Sequence, residues 1–339
     1  MILHDERNNL GLADFGILIP VTDTRASKTF DALRAHPRLK GTVARWHRRP
    51  AGEILTEADL LRVHTPAYVA RLFSDSDALE KELSRTYELV DGSGRYNRYD
   101  PASATLPLKK LFDRILRRAA GTVQCARIAL ETEFCFYFGG GMHHALADRG
   151  SGFCPINDIV IAIRKLQSEG KIDSAWVIDT DAHKGDGTAA LTAGDDSIRT
   201  LSIHMAHGWP LDGNSTDANG RLRPSFVPSD IDIPVASGQE NRYIDRLLEG
   251  LERLRRFPAP DLALVVYGAD PYEKDALAST RELNLTLAQM KARDLAVYRF
   301  LQQQGIPMAY LMAGGYGPDA WEVYVQFLEE VLPERYGSG

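Results

Sequence analysis

The rhythm of apolar and polar positions changes near Phe134. Upstream it is helical or irregular. Glu57–Leu72 (EADLLRVHTPAYVARL) has helical apolar spacing on both sides of Pro66, which predicts two helices broken at that proline. Asp91–Thr105 is rich in Gly, Ser, Asn and Pro and predicts a loop. Leu106–Thr132 predicts a long helix. Downstream, the short apolar runs Phe134–Phe138, Ala175–Ile178, Thr200–Ile203, Leu262–Tyr267 and Met308–Met312 predict strands. Between them Asp158–Ser168, Glu240–Arg256 and Leu285–Gln304 predict helices. Strands alternating with helices imply an α/β fold, a mainly parallel central sheet covered on both faces. Asn214–Pro234 is a long polar connection, expected at a rim rather than between domains. No composition shift marks a boundary, so residues 1–339 are expected to form a single domain.

Composition narrows the class. Hydrophobic residues make up 44% and charged residues 25%, ordinary for a globular enzyme. The net charge of −6, with only short basic runs at Arg45–Arg49 and Arg253–Arg256, argues against a phosphate-backbone partner. Three cysteines without a CxxC pattern make neither a disulfide framework nor a cysteine zinc site. The charged start MILHDERNNLG lacks the apolar stretch of a signal peptide. No uncharged apolar run approaches the roughly 18–20 residues of a membrane helix. The expected location is the cytoplasm.

The chemistry follows the strands. In open parallel sheets ligands bind outside the carboxyl ends of the strands, so residues just after each apolar run should converge. After Ile178 stands Asp179-Thr-Asp181-Ala-His183-Lys-Gly-Asp186. In an extended segment Asp179, Asp181 and His183 share a face, and two buried carboxylates side by side call for a cation. The O,O,N set suits zinc, iron(II) or manganese. After Phe138 come three glycines, Met142, His143 and His144. Glycines there allow a sharp turn, and paired histidines suit acid–base work. After Tyr267 stands Gly-Ala-Asp270, a candidate third ligand; after Met312, Ala-Gly-Gly-Tyr316, whose phenol can donate to a developing oxyanion. Each motif alone also reads as an ordinary turn, cap or packed aromatic; the four together do not.

The set resembles the arginase–deacetylase fold, specifically the zinc-dependent histone deacetylase family, from about Glu57 to Tyr316. GGGMHHA, DRGSGFCPIND, IDTDAHKGDGT, YGAD and GGYG stand in family order. DRGSGFC, DAHKGDG and LLRVHTPAY look closest to the class IV branch and to bacterial histone deacetylase-like amidohydrolases. The resemblance implies that Asp181, His183 and Asp270 bind zinc, with iron(II) as the other option. It makes His144 the general base and then acid, and His143 an electrostatic partner. Asp179 orients His143 and Asp186 orients His144. Tyr316 stabilises the oxyanion, and Gly152 and Phe153 line an acyl-lysine tunnel. A structural potassium ion is implied on the backbone of Asp179, Asp181, His183 and Ile203 with the Ser202 hydroxyl. Lys184 stands where other classes carry histidine, and Asp100 where class I members place a rim aspartate.

The implied activity is metal-assisted hydrolysis of an acyl-lysine amide in a protein or peptide, without nucleic-acid or membrane partners. An arginase-like ureohydrolase would need further acids around Asp270. An acetylpolyamine hydrolase would carry an acidic gate where Leu277 aligns, with Glu273 as the nearby acid. A non-catalytic acyl-lysine reader would have lost Tyr316, His144 or a ligand, and none is lost.

Overall fold

The computed structural model describes residues 1–21, 24–211, 221, 223 and 226–337. Its centre is one eight-stranded sheet in the order β2-β1-β3-β8-β7-β4-β5-β6. The strands are β1 (Ile2–Leu3), β2 (His47–Arg48), β3 (Phe134–Tyr137), β4 (Ala175–Asp179), β5 (Ile198–Met205), β6 (Ile231–Val235), β7 (Leu262–Tyr267) and β8 (Met308–Met312). Every pairing is parallel. This is the arginase–deacetylase arrangement.

The continuous apolar character of the central strands follows from burial on both faces. In β7, Leu262, Leu264 and Val266 enter one hydrophobic core. Ala263, Val265 and Tyr267 enter the other. The first core is closed by the helices Leu111–Thr132 and Asp158–Ser168. The second is closed by Tyr243–Leu254, Leu287–Gln303 and Ala320–Tyr336. Each buried Leu, Ile or Val contributes about 1.5–3 kcal/mol through removal of apolar surface from water.

Local signals set the element ends. Pro66 opens the helix Pro66–Leu72, and the Thr65 side chain caps it, while Glu57–Leu60 starts from a capping box of Thr56 and Asp59. Leu287–Gln303 starts from a second capping box, Thr286 with Gln289. The predicted helix over 106–132 begins at Leu111 after a 3₁₀ turn, Leu108–Lys110. Likewise Tyr243–Leu254 follows a 3₁₀ turn, Glu240–Arg242. The connection over 214–234 lies partly outside the described residues; its last residues are not loop, because Ile231–Val235 pairs with β5.

Register aligns the strand ends. Asp179 of β4 stands opposite Ser202 of β5 and Val266 of β7, and Tyr267 stands opposite Met312 of β8. The segments after β3, β4, β7 and β8 therefore leave the sheet at one edge and meet there.

Candidate active site

Three of the converging side chains form a compact group that could hold a metal ion. Asp181, His183 and Asp270 are buried, and each offers an atom within 4.8 Å of the others. His183 Nδ1 lies 3.3 Å from both Asp181 Oδ1 and Asp270 Oδ2. Backbone donors hold the carboxylates: Gly314 N donates to Asp181 Oδ2 at 3.0 Å and Ala182 N to Asp270 Oδ1 at 3.0 Å. Asp270 Oδ2 is buried and accepts no hydrogen bond. The carboxylates crowd Gly314 so closely that a Cβ there would sit 2.4 Å from Asp181 Oδ2 and 2.5 Å from Asp270 Oδ2. His183 Nε2 bonds Ser279 Oγ at 3.1 Å, which leaves Nδ1 toward the acids.

Electrostatics points to a cation among them. Burial pushes Asp270 up to about 6, with the Asp181 charge adding to the effect. His183 is pushed up to about 10: burial disfavours its charge, but Asp181 and Asp270 outweigh burial. Without a metal, the site must keep a proton to balance its acids. An O,N,O set with an orphaned carboxylate oxygen fits a divalent ion that replaces that proton. Among the described residues no other cluster of this kind occurs.

The histidine pair sits beside this set. His143 Nδ1 donates to Asp179 Oδ2 at 2.7 Å and His144 Nδ1 to Asp186 Oδ1 at 2.7 Å. Their ring centroids are 3.8 Å apart, yet their proton affinities diverge. Burial penalises a charged His143, but Asp179 and Asp181 overcome it and hold the ring up to about 9. Burial and then the His143 charge bring His144 down to about 4, despite Asp186. The partners thus favour the proton on His143 and the free base on His144. The turn that carries them is tied by Asp158, whose carboxylate accepts from Gly141 N at 3.1 Å and Met142 N at 2.7 Å. His64 pins the following segment, donating from Nδ1 to Leu146 O at 2.9 Å and accepting from Asn157 N at 3.1 Å.

A cavity of about 220 Å³ leads to these groups, lined by Gly152, Phe153, Trp209, Leu277 and Tyr316 among others. A second space of about 100 Å³ continues inward past Met142, Cys154, Phe138 and Met312. Gly152 has φ +51°, and a Cβ there would lie 2.1 Å from Trp209 Cη2. Trp209 packs its ring 4.5 Å from His144 and 5.5 Å from His183, centroid to centroid. Sequence reasoning missed this wall residue; the aromatic in HGWP, just beyond β5, was the available signal. Tyr316 is half-buried, its ring 6.5 Å from Phe153 and nearly perpendicular, and its N–H donates to Asp275 Oδ2 at 2.7 Å.

Other candidates fall into place around the site. Lys184 is buried and donates to Asp232 Oδ1 at 2.5 Å and Ser229 Oγ at 3.0 Å, away from the ligand set. Ser202 Oγ and His204 Nδ1 are 3.0 Å apart, and Ser202 pairs in register with Asp179 while Ile203 follows it on β5. Asp100 does not line the mouth; its Oδ1 accepts from Ala102 N at 3.1 Å. Glu273 is also absent from the lining. The charged residues at the mouth are Glu88 and Arg98, paired at 3.2 Å, with Arg98 over the Phe153 ring. Both adopt φ near +50°, 52° for Glu88 and 51° for Arg98, a backbone region such residues seldom visit.

Comparison with known proteins agrees with this geometry. Residues 19–331 match the family described as "Histone deacetylase domain". An uncharacterised protein of Picosynechococcus sp. is 31% identical over 204 residues, covering 60% of this chain and 63% of that protein. Histone deacetylase 2 of Arabidopsis thaliana is 26% identical over 81% of this chain and 65% of its own length. Acetoin utilization protein AcuC of Staphylococcus aureus is 27% identical over 80% and 66%. The chain thus spans 63% to 66% of the length of these relatives. A crystal structure of an HDAC homolog complexed with SAHA superposes with a TM-score of 0.71 at 22% identity, over 99% of this chain and 83% of that one. An HDAC homolog from Aquifex aeolicus gives 0.70 at 21% over the same shares.

Proposed function

The chain belongs to the histone deacetylase family, and from that premise we propose that it is a metal-dependent deacylase acting on acyl-lysine in a peptide or protein. One observation carries the reading: His143 bonded to Asp179 and His144 bonded to Asp186, each at 2.7 Å, stand together beside the Asp181–His183–Asp270 set at the base of a narrow cavity.

Asp181, His183 and Asp270 would hold one divalent ion, zinc or iron(II). That ion would polarise the acyl carbonyl and lower the pKa of a bound water. His144, neutral and aimed by Asp186, takes a proton from the attacking water and later returns it to the leaving amine. His143, cationic on Asp179, favours the negative charge that develops. Tyr316 donates a hydrogen bond from its phenol to the oxyanion. Gly152, Phe153 and Trp209 enclose the lysine stem and keep water away. The products are a carboxylate and a free amine. A potassium ion on the carbonyls of Asp179, Asp181, His183 and Ile203, with Ser202 Oγ, is part of the proposal; the β4–β5 register supports it.

The reading treats residues 1–339 as one catalytic unit, supported by the single sheet that joins β1 to β8. Cytoplasmic residence is supported by three free, buried cysteines. No helix of the described residues is long and apolar enough to cross a membrane.

An acetylpolyamine hydrolase is disfavoured because Leu277 is apolar and the mouth acid, Glu88, is already neutralised by Arg98. Acyl groups longer than acetyl are part of the proposal: the inner space has apolar walls at Leu12, Ile19, Met142 and Met312 beside the polar Arg25 and Arg118, and each methylene buried against the apolar walls would add about 0.8 kcal/mol. The test is kcat/KM for acetyl-lysine peptide, myristoyl-lysine peptide and N-acetylputrescine side by side. The peptides should be preferred. A clear preference for acetylputrescine rejects the substrate class; acetyl above myristoyl rejects only the longer chain.

A further inference from the structure

Behind the ligand loops, on the far side from the cavity, lies a buried charged cluster that the chemistry above does not use. Arg293, on the inner face of the helix Leu287–Gln303, is 0% exposed. Its Nη1 donates to two main-chain carbonyls at once, Thr180 O at 2.9 Å and Gly268 O at 2.8 Å. Thr180 sits between Asp179, which aims His143, and the ligand Asp181. Gly268 precedes the ligand Asp270 by two residues. One nitrogen therefore ties together the loops after β4 and β7, which supply all three ligands.

The guanidinium is itself fixed. Its Nε donates to Asp294 Oδ1 at 2.6 Å, and Tyr267 donates its hydroxyl to Asp294 Oδ2. The Tyr267 ring also packs against the guanidinium carbon at 5.1 Å from its centroid. Two carbonyl oxygens converging in a dry interior repel each other unless a donor lies between them. A planar, always-charged fork can meet both while holding its carboxylate partner, and an ammonium on a flexible stem cannot do all three in one geometry.

We propose that Arg293, braced by Asp294 and Tyr267, is a positioning residue that sets the spacing of the Asp181–His183 and Asp270 loops, and so the affinity and geometry of the metal site. This inference rests on the metal-site reading above. Groups hydrogen-bonded directly to metal ligands are typically worth about 10–100-fold in metal affinity, and Arg293, which acts through the main chain beside the ligands, is expected at the lower end of that range.

The test uses Co(II) as probe, with Kd from chelator competition and the visible d–d spectrum as a report of ligand geometry. Wild type is compared with Arg293→Lys, and with Tyr267→Phe, which removes one oxygen and disturbs folding least. Arg293→Lys should weaken Co(II) binding at least about tenfold and shift the d–d bands, with the far-UV circular dichroism retained. Tyr267→Phe should change both readouts in the same direction by a smaller factor. A lower melting temperature with unchanged Kd and spectrum in the folded variants assigns these residues a purely structural role and overturns the inference. If wild type takes up no Co(II), the metal-site reading fails first and this inference with it.

Discussion

At the scale of single residues, the decisive feature is that two touching imidazoles are driven apart in proton affinity by their partners. His143 faces Asp179 and Asp181 and is held up to about 9, while His144, buried beside that cation, is brought down to about 4. A base whose proton leaves only near pH 4 stays available through the acid range. In metal-free protein His144 should therefore titrate below the ordinary histidine value and His143 above it, near 9, when imidazole NMR shifts are followed against pH. Removing the carboxylate that raises His143 lowers that value, so Asp179→Asn should move the His143 titration toward neutrality. An unmoved titration in that variant would assign the shift to another group. Much of this geometry was legible in sequence because Asp181, His183, Asp270, the two histidines and their acid partners lie within a few residues of strand ends. What a short motif cannot display is a partner brought from afar. Arg293 reads as one more charge on an amphipathic helix, and Trp209 as an isolated aromatic, until folding sets them against Thr180 and His144.

At the scale of elements, the apolar runs of β3, β4, β7 and β8 were readable because strands buried on both faces need uninterrupted apolar sequence. β1 and β2 were not, since two residues carry no periodicity. β6 was hidden by Asp232 and Pro234, which an edge strand tolerates. The loops leaving these strands leave little room for change. At Gly152, a Cβ would meet Trp209 at 2.1 Å and His144 Cδ2 at 2.7 Å, on a backbone at φ +51°. Gly152→Ala should displace one ring or the other. We expect kcat/KM to drop at least about tenfold, about 1.4 kcal/mol of transition-state stabilisation, with metal content intact. Steady-state kinetics beside metal analysis checks this; unchanged kinetics would mean that Trp209 is not held as the tunnel wall.

At the scale of the whole molecule, three buried histidines are kept neutral chiefly by burial: His4 and His64 at about 4, and His204 at about 3. Each folded value lies below the ordinary 6.5, so in the interval between them the unfolded chain binds protons that the folded chain refuses. Taken alone, His4 or His64 should cost at most about 3 kcal/mol of stability as pH drops from about 6.5 toward 4. His143 works the other way: its raised value stabilises the fold below about 6.5, and that contribution is lost as pH rises through about 9. The raised carboxyls of Asp270, Asp275 and Asp294 also favour the fold at low pH and oppose these rings, so the check is a difference: the melting temperature of His64→Gln should fall less than that of wild type between about pH 7 and 4. Equal falls would contradict the assignment of a buried neutral ring at His64.

The proposed chemistry depends on one ion at one place. The most direct measurement titrates metal-free protein with Zn(II) while following bound metal and hydrolysis of an acyl-lysine peptide, beside Asp270→Ala. Activity should rise in step with binding at the Asp181–His183–Asp270 site and saturate at one catalytic ion per chain, and Asp270→Ala should lose both together. Saturation at two catalytic ions per chain, or full activity in Asp270→Ala, would contradict it.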